Sequence, residues 1–413
     1  MSKMEEKKKI PEIRFEGFGG EWKQCHLGEV GGLKNGMNFG KEAMGHGYPF
    51  VNLQDVFGKN TVDNTNLELA ISNEKQRKEY SLEKGDVLFI RSSVKPEGVG
   101  EAALVSESFK NTTYSGFIIR FRPNIEMSGN FNRFIYSTIS VRKQILTSAT
   151  SSANTNINQD ALKKIQLTLP KIGEQTKIGN YFQQLDTLIT LHKKKHDKLL
   201  NVKKAMLEKM FPKKGADMPE IRFKGFSEKW EERALGELCA DTYGGGTPRT
   251  SEAKYWNGDI PWIQSSDLSK EQVSNVVLRK NITTNGLRAS ATKLIPANSI
   301  AIVTRVGVGK LAFIPFKYAT SQDFLSLSKL KINNWYGVYS IWKKLQDELH
   351  AIQGTSIKGI TKEELLAKRI IIPMQNTEQT KIGNFFKHLD TLLVLHQTEL
   401  TCNGLIKQGT SIG

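Results

Sequence analysis

Cysteine is scarce in this chain, with three residues in 413. Cys25, Cys239 and Cys402 are odd in number and far from any Cys-x-x-Cys spacing. That pattern indicates neither a disulfide framework nor a thiolate zinc site, and it fits a reducing compartment. Long apolar runs are missing as well: no segment approaches the ~20 apolar residues of a membrane-spanning helix. The charged residues 1–9 have no apolar run behind them, so a soluble, cytoplasmic protein without a membrane partner is expected. Acidic residues are in deficit, 42 against 59 Lys and Arg, which leaves a formal net charge of +17. An excess of that size favours polyanionic partners, nucleic acid before an anionic membrane surface. The length and a hydrophobic content of 38% allow two or three domains with real cores.

Motifs that carry chemistry are also lacking. Val306-Gly-Val-Gly-Lys310 invites comparison with a phosphate-cradling loop, but the first glycine is misplaced and Leu311 stands where Ser or Thr is needed. It reads as a turn between strands. No Gly-x-Gly-x-x-Gly follows a strand, no Pro-Pro pair supplies the (Asn/Asp)-Pro-Pro-aromatic cradle of amino-methyltransferases, and no Pro-Asp pair seeds a common nuclease metal site. His192 and His196 stand four apart, as metal-binding helix residues can, yet no Glu follows His192 and Leu400 occupies the second position in a later copy of the segment. They read as helix-surface histidines, and Lys193-Lys-Lys195 with Lys203-Lys204 as a solvated helix face. Neither a catalytic group nor a metal site is expected.

What the chain does have is duplication. Glu174-Gln-Thr-Lys-Ile-Gly-Asn180 returns letter for letter as Glu378-Gln-Thr-Lys-Ile-Gly-Asn384, and over nineteen aligned positions fourteen are identical. Ile178, Phe182, Leu185 and Ile189 are spaced four, three, four, as are Ile382, Phe386, Leu389 and Leu393. That spacing predicts one apolar face of an α-helix in an a/d register, suited to helix packing and partner docking. Pro170 and Pro373 precede the two helices, and Glu174 and Glu378 fall in the favoured first turn. A helix from Glu174 to Phe211 would be roughly 55 Å long at ~1.5 Å per residue. The opening of the chain is duplicated too: Pro11-Glu-Ile-Arg-Phe-Glu-Gly-Phe18 matches Pro219-Glu-Ile-Arg-Phe-Lys-Gly-Phe226, with Trp22 and Trp230 following. A repeat this long is a duplicated domain rather than a solenoid.

The expected organisation is a tail at 1–10, a mixed α/β domain at 11–173, a long helix at 174–211, a linker at 212–218, a second domain at 219–373 and a second long helix at 374–408. Gly404 costs up to ~1 kcal/mol in a helix relative to Ala, so the second helix is expected to fray or stop early. Between the repeated ends the copies diverge, although a shared skeleton persists. Pro49 to Asp55 aligns with Pro261 to Asp267, and Gly85 to Arg91 approximately with Ala297 to Val303. Asn158 and Thr361 stand where each would cap a short helix. The divergent loops are rich in side chains suited to base edges and phosphates. In the first copy these are Lys34, Asn35, Asn38, Arg91, Lys95, Asn154 and Asn156. In the second they are Thr247, Arg249, Lys254, Gln264, Arg305, Lys310 and Lys358.

Trp22 with Leu27-Gly-Glu29, Trp230 with Leu235-Gly-Glu237, Gly245-Gly-Thr-Pro248 with Tyr255-Trp256 and Asp259-Ile-Pro-Trp262, and the proline followed by Glu-Gln at the start of each long helix (Pro170 with Glu174-Gln175, Pro373 with Glu378-Gln379) together form a constellation. On these residues the chain resembles the specificity subunit of type I restriction-modification systems over nearly its whole length. The resemblance implies two target-recognition domains, each reading half of a split sequence in double-stranded DNA. It also implies two helices packed as an antiparallel coiled-coil spacer with pseudo-two-fold symmetry. Two methyltransferase subunits would dock there, carrying S-adenosylmethionine and methylating adenine N6, and restriction subunits could join. The chain itself would be a non-catalytic subunit without a cofactor. A basic DNA-binding scaffold and a stand-alone nuclease are the alternatives.

Overall fold

The computed structural model describes residues 10–151, 154–213, 215–351 and 359–409. They form two units: one runs to Leu191 and takes in the residues from Glu399 onward, and the other is His192–Thr398.

In the first unit a central antiparallel sheet has the strand order Gly31–Asn35, Ile118–Pro123, Val87–Ile90, Ala102–Leu104. Val87-Leu-Phe-Ile90 is apolar throughout because both faces of this strand are covered. Val87 and Phe89 join a core with Ile119, Phe121 and Tyr136, while Leu88 and Ile90 point the other way into a core with Val51, Tyr114 and Ile118. The second unit repeats this with Cys239–Gly244, Phe324–Leu330, Ser299–Val303 and Leu311–Ile314. Ile300 and Ile302 enter one core, Ala301 and Val303 the other. A three-stranded sheet flanks each central one: Glu68–Ala70, Met44–Val51, Thr113–Tyr114 in the first unit, and Lys280–Ile282, Trp256–Ile263, Ala319–Thr320 in the second. Interiors with little sequence in common therefore share one mixed α/β topology.

The repeated ends hold each long helix onto its own domain. Strand Lys23–His26 pairs with Gln166–Leu169, and Trp230–Ala234 with Arg369–Pro373, which brings the opening segment to the foot of the helix. There Arg14 donates from Nε and Nη2 to the two oxygens of Glu174 (2.7 and 2.8 Å), and Arg222 does the same to Glu378 (2.5 and 2.7 Å). The Gln175 amide donates to the Pro170 carbonyl (2.9 Å) and accepts from the Ser128 amide (3.1 Å); Gln379 bridges Pro373 and Asn333 in the same way (both 2.8 Å). Gly179 and Gly383 are needed for close approach, since a Cβ would lie 2.4 Å from the Phe131 nitrogen and 2.6 Å from the Tyr336 nitrogen.

The two apolar stripes depart from the expected helix-to-partner role. Ile178, Phe182 and Leu185 are buried in the first unit's core, with the Phe182 ring 5.5 Å from Phe134. Ile382, Phe386 and Leu389 are buried in the second unit's core beside Tyr339 and Phe211. Leu393 is buried and Ile189 half-buried. The a/d spacing identifies a buried face correctly, but what buries it over these turns is mainly the adjoining globule.

The first long helix is Ile172–Lys209, 38 residues, and the second Asn376–Gly409, 34 residues. The second does not stop at Gly404. Its last turns are held by tertiary contact, with Asn403 buried and Lys407 ion-paired with Asp186, and such contact overrides a propensity cost of ~1 kcal/mol. Asp186 also binds Arg133 (3.3 Å) in the first unit. The equivalent aspartate in the second unit, Asp390, lies 2.5 Å from Lys203 Nζ and accepts from the Tyr339 hydroxyl (2.7 Å). Lys203 is 3% exposed, so it is not part of a solvated face. Nor is His192 simply a surface residue: its Nδ1 shares a 3.0 Å hydrogen bond with Nδ1 of His396, its counterpart in the repeat. Asn158 and Thr361 cap short helices as expected, and the Val306 segment is a turn between strands with Gly307 and Gly309 at φ +91°.

Candidate nucleic-acid interface

At one end of the central sheet both units present the same backbone frame. The Arg91 amide donates to the Phe117 carbonyl (2.8 Å) and the Arg91 carbonyl accepts from Ile157 (2.9 Å). In the second unit the Thr304 amide donates to Asp323 (2.7 Å) and the Thr304 carbonyl accepts from Ile360 (2.7 Å). A neighbouring strand end closes on it: Met37 donates to Tyr114 (2.8 Å), Gly246 to Thr320 (2.9 Å). The preceding glycine is retained in both, because a Cβ on Gly36 would lie 2.2 Å from the Ser115 carbonyl oxygen and one on Gly245 1.9 Å from that of Ser321.

These bonds fix which residues correspond. Asn38 stands where Thr247 does, Arg91 where Thr304 does, Gly116 where Gln322 does, and Phe117 where Asp323 does. The frame is shared and the side chains on it are not. In the first unit Asn38 is exposed, Phe117 is 55% exposed, and Arg91 sends Nη1 toward the Gly116 carbonyl (3.4 Å). In the second, Thr247 Oγ1 donates to Gln322 Oε1 (2.5 Å), and Ser321 Oγ donates to Asp323 Oδ2 (3.2 Å). Arg305 and Val306 are exposed in the adjoining turn.

The remaining candidates fall in several settings. Lys34 is tied to its own unit, 2.9 Å from Glu79 and over the Tyr80 ring, and its ammonium holds the Glu79 carboxyl below the usual range. Lys310 donates to the Ser265 carbonyl (3.0 Å). Both lysines are half-buried and make contacts within their own unit. Asn35 ends its strand half-buried, and Gln264 begins the turn Ser265–Asp267, its amide donating to Asp267 (2.9 Å). Asn156 donates to the Asn154 carbonyl (2.8 Å) in a strand beside Ser92 and Ser93. Lys95, Arg249 and Lys254 are exposed. Lys358 lies outside the described residues. The corner residues Phe117 and Asp323 escaped selection by residue type, and Gln322 was not among the candidates although its type was. The signal that finds them is positional, Ser115-Gly-Phe117 against Ser321-Gln-Asp323.

Among the described residues no three His, Cys, Asp or Glu side chains converge as a metal site requires, and no helix is long and apolar enough to cross a membrane.

The chain is similar to known proteins in sequence and in fold. The family described as the type I restriction modification DNA specificity domain matches twice, over residues 19–201 and 227–401. A protein of Methanocaldococcus jannaschii, provisionally named as the type I restriction enzyme MjaX specificity subunit, is 24% identical over 379 residues, 89% of this chain and 86% of its own length. The specificity subunit of the Escherichia coli enzymes EcoR124I and EcoR124II is 34% identical over 180 residues, 42% of this chain and 43% of its own. In fold the chain is similar to the crystal structure of a type I restriction-modification S subunit from M. genitalium, with a TM-score of 0.56 at 14% identity and 97% of each chain covered.

Proposed function

The chain belongs to the type I restriction modification DNA specificity family, and from that premise we propose that it is the DNA-reading subunit of a methyltransferase and restriction complex. Each recognition domain reads one half of a split target, and the long helices set the gap and hold two adenine-N6 methyltransferase subunits. S-adenosylmethionine binds in those partners, restriction subunits join through the assembled complex, and this chain contributes no catalytic group.

One observation carries the reading: a single backbone frame occurs twice with different side chains on it. Two copies of one fold suit the two-fold symmetry of duplex DNA, while unlike side chains give two unlike half-sites. A helix of 38 residues, roughly 57 Å long, has the reach to span half-sites centred about one turn of DNA, ~34 Å, apart. The charge of +17 supports phosphate contacts, each of which steepens the fall of log affinity with log salt by about 0.9. The partner subunits extrude and methylate an adenine in each half-site.

The test is to co-express the chain with a methyltransferase subunit and map N6-methyladenine across a genome. Two short half-sites at a fixed gap, each with one methylated adenine, are expected. A complex that assembles yet methylates no motif refutes sequence reading.

A further inference from the structure

The matched corners differ most sharply at residues 117 and 323. In both units the main chain there does the same work, its carbonyl accepting from the amide at the end of the central strand, Arg91 or Thr304 (2.8 and 2.7 Å). The frame therefore does not depend on the side chain, and one unit carries an aromatic ring where the other carries a carboxylate. Phe117 is 55% exposed although it sits in a well-packed sheet end. Ser115 Oγ accepts from its amide (3.3 Å) and the Arg91 guanidinium stands beside it on the Gly116 carbonyl (3.4 Å). An apolar ring set out from a basic corner is poorly placed for the protein's own core and well placed to cover an apolar group on a polyanion. Asp323 is held rather than loose: Ser321 Oγ donates to its carboxylate (3.2 Å) and accepts from its amide (3.4 Å). Gln322 is steadied by Thr247 (2.5 Å).

Resting on the DNA-reading function above, we propose that 117 and 323 are the matched base-reading positions of the two domains. Phe117 packs on the methyl group of a thymine in the first half-site, and Asp323 accepts from the exocyclic amino group of a cytosine in the second. In the major groove thymine alone offers a methyl group, which suits an apolar side chain. A carboxylate accepts from the cytosine N4 amino group, whereas the adenine amino group is flanked by the N7 acceptor, which repels it. Arg91 in the first unit and Arg305 in the second are the cations that hold the backbone against phosphate while these contacts form.

The experiment uses the full chain co-expressed with its methyltransferase subunit, with methyladenine mapped for the wild type and for Phe117→Ala, Phe117→Leu, Asp323→Ala and Asp323→Asn. In Phe117→Ala one thymine position of the first half-site relaxes, losing tenfold or more in discrimination. Phe117→Leu keeps the thymine preference, and the second half-site is unchanged in both. In Asp323→Ala one cytosine position of the second half-site relaxes, and in Asp323→Asn it shifts toward adenine, with the first half-site unchanged. Variants that methylate the wild-type motif with undiminished discrimination overturn the proposal while leaving the DNA-reading function intact. So does Phe117→Leu relaxing the thymine position as far as Phe117→Ala does with thermal midpoints unchanged, because a conservative apolar replacement preserves contact with a methyl group. The absence of any motif in the wild type defeats the function on which the proposal rests.

Discussion

Replacing Lys203 by methionine is expected to destabilise the second unit by about 3–5 kcal/mol, the cost typical of breaking a buried ion pair from one side. The Lys203 side chain is 4% exposed and that of Asp390 0%, with Nζ 2.5 Å from Oδ1. The ammonium also donates to the Glu271 carbonyl (2.7 Å). The carboxylate takes the Tyr339 hydroxyl (2.7 Å) and lies 3.4 Å from that of Ser274. Burial, and after it the neighbouring carboxylate, push the Tyr339 phenol far above its ordinary pKa, so the hydroxyl remains a donor. Methionine refills the lysine stem, and the loss therefore reports the stranded charge rather than a cavity. Urea unfolding followed by tryptophan fluorescence is a suitable assay, because the Trp342 ring lies 5.7 Å from Lys203 Nζ. At a slope of ~3 kcal/mol per molar the midpoint falls by about 1–2 M. Adding Asp390→Asn to Lys203→Met should recover most of the loss, since the buried charge is then gone. A shift worth less than ~1 kcal/mol for the single variant would mean that Lys203 is solvated and that this end of the helix is not docked as described.

Gly383→Ala sets a methyl group 2.6 Å from the Tyr336 backbone nitrogen, where no flexible side chain can give way. A loss of about 1–3 kcal/mol, typical of overpacking, is expected in thermal unfolding, whereas Gly404→Ala, with nothing within 4 Å, gains up to ~1 kcal/mol. Burial pushes the Cys25 and Cys239 thiols up, and Cys402 is exposed; a thiol reagent should label one cysteine in the native chain and three after denaturation. Thr361→Ala removes the cap of helix Lys362–Ala367 and costs about 1 kcal/mol. The Thr361 amide, then its hydroxyl, hold the Glu364 carboxyl below its usual range. Only the hydroxyl's share is removed by Thr361→Ala, since the amide stays; that share is full above the unfolded-state pKa and is lost as pH falls through the lower folded-state value, so the gap between wild type and Thr361→Ala should narrow slightly in acid.

The parts of this fold legible in the sequence are those where one residue type is required by one local job. Pro170, Glu174, Gln175 and Gly179 recur at 373, 378, 379 and 383 because each pair makes the same contact, and identity across a duplication records that demand. Val87-Leu-Phe-Ile90 and Ser299-Ile-Ala-Ile-Val303 differ in letters but bury both faces of a central strand, so the strand could be read where the alignment was weak. Partners distant in sequence were not legible. Lys203 stands in a lysine-rich helix stretch, and only the fold sets it against Asp390, 187 residues further on. The recognition corner failed for a different reason. Selection for basic, amide and hydroxyl side chains found Asn38, Arg91, Thr247 and Arg305 but could not find an exposed phenylalanine or a half-buried aspartate. Their distinction is that they occupy one backbone position in two domains and share no chemistry there. In a duplicated reader the backbone frame stays fixed while base specificity changes through the side chains it carries, so divergence at a matched position with an unchanged hydrogen-bond pattern is the physical trace of specificity.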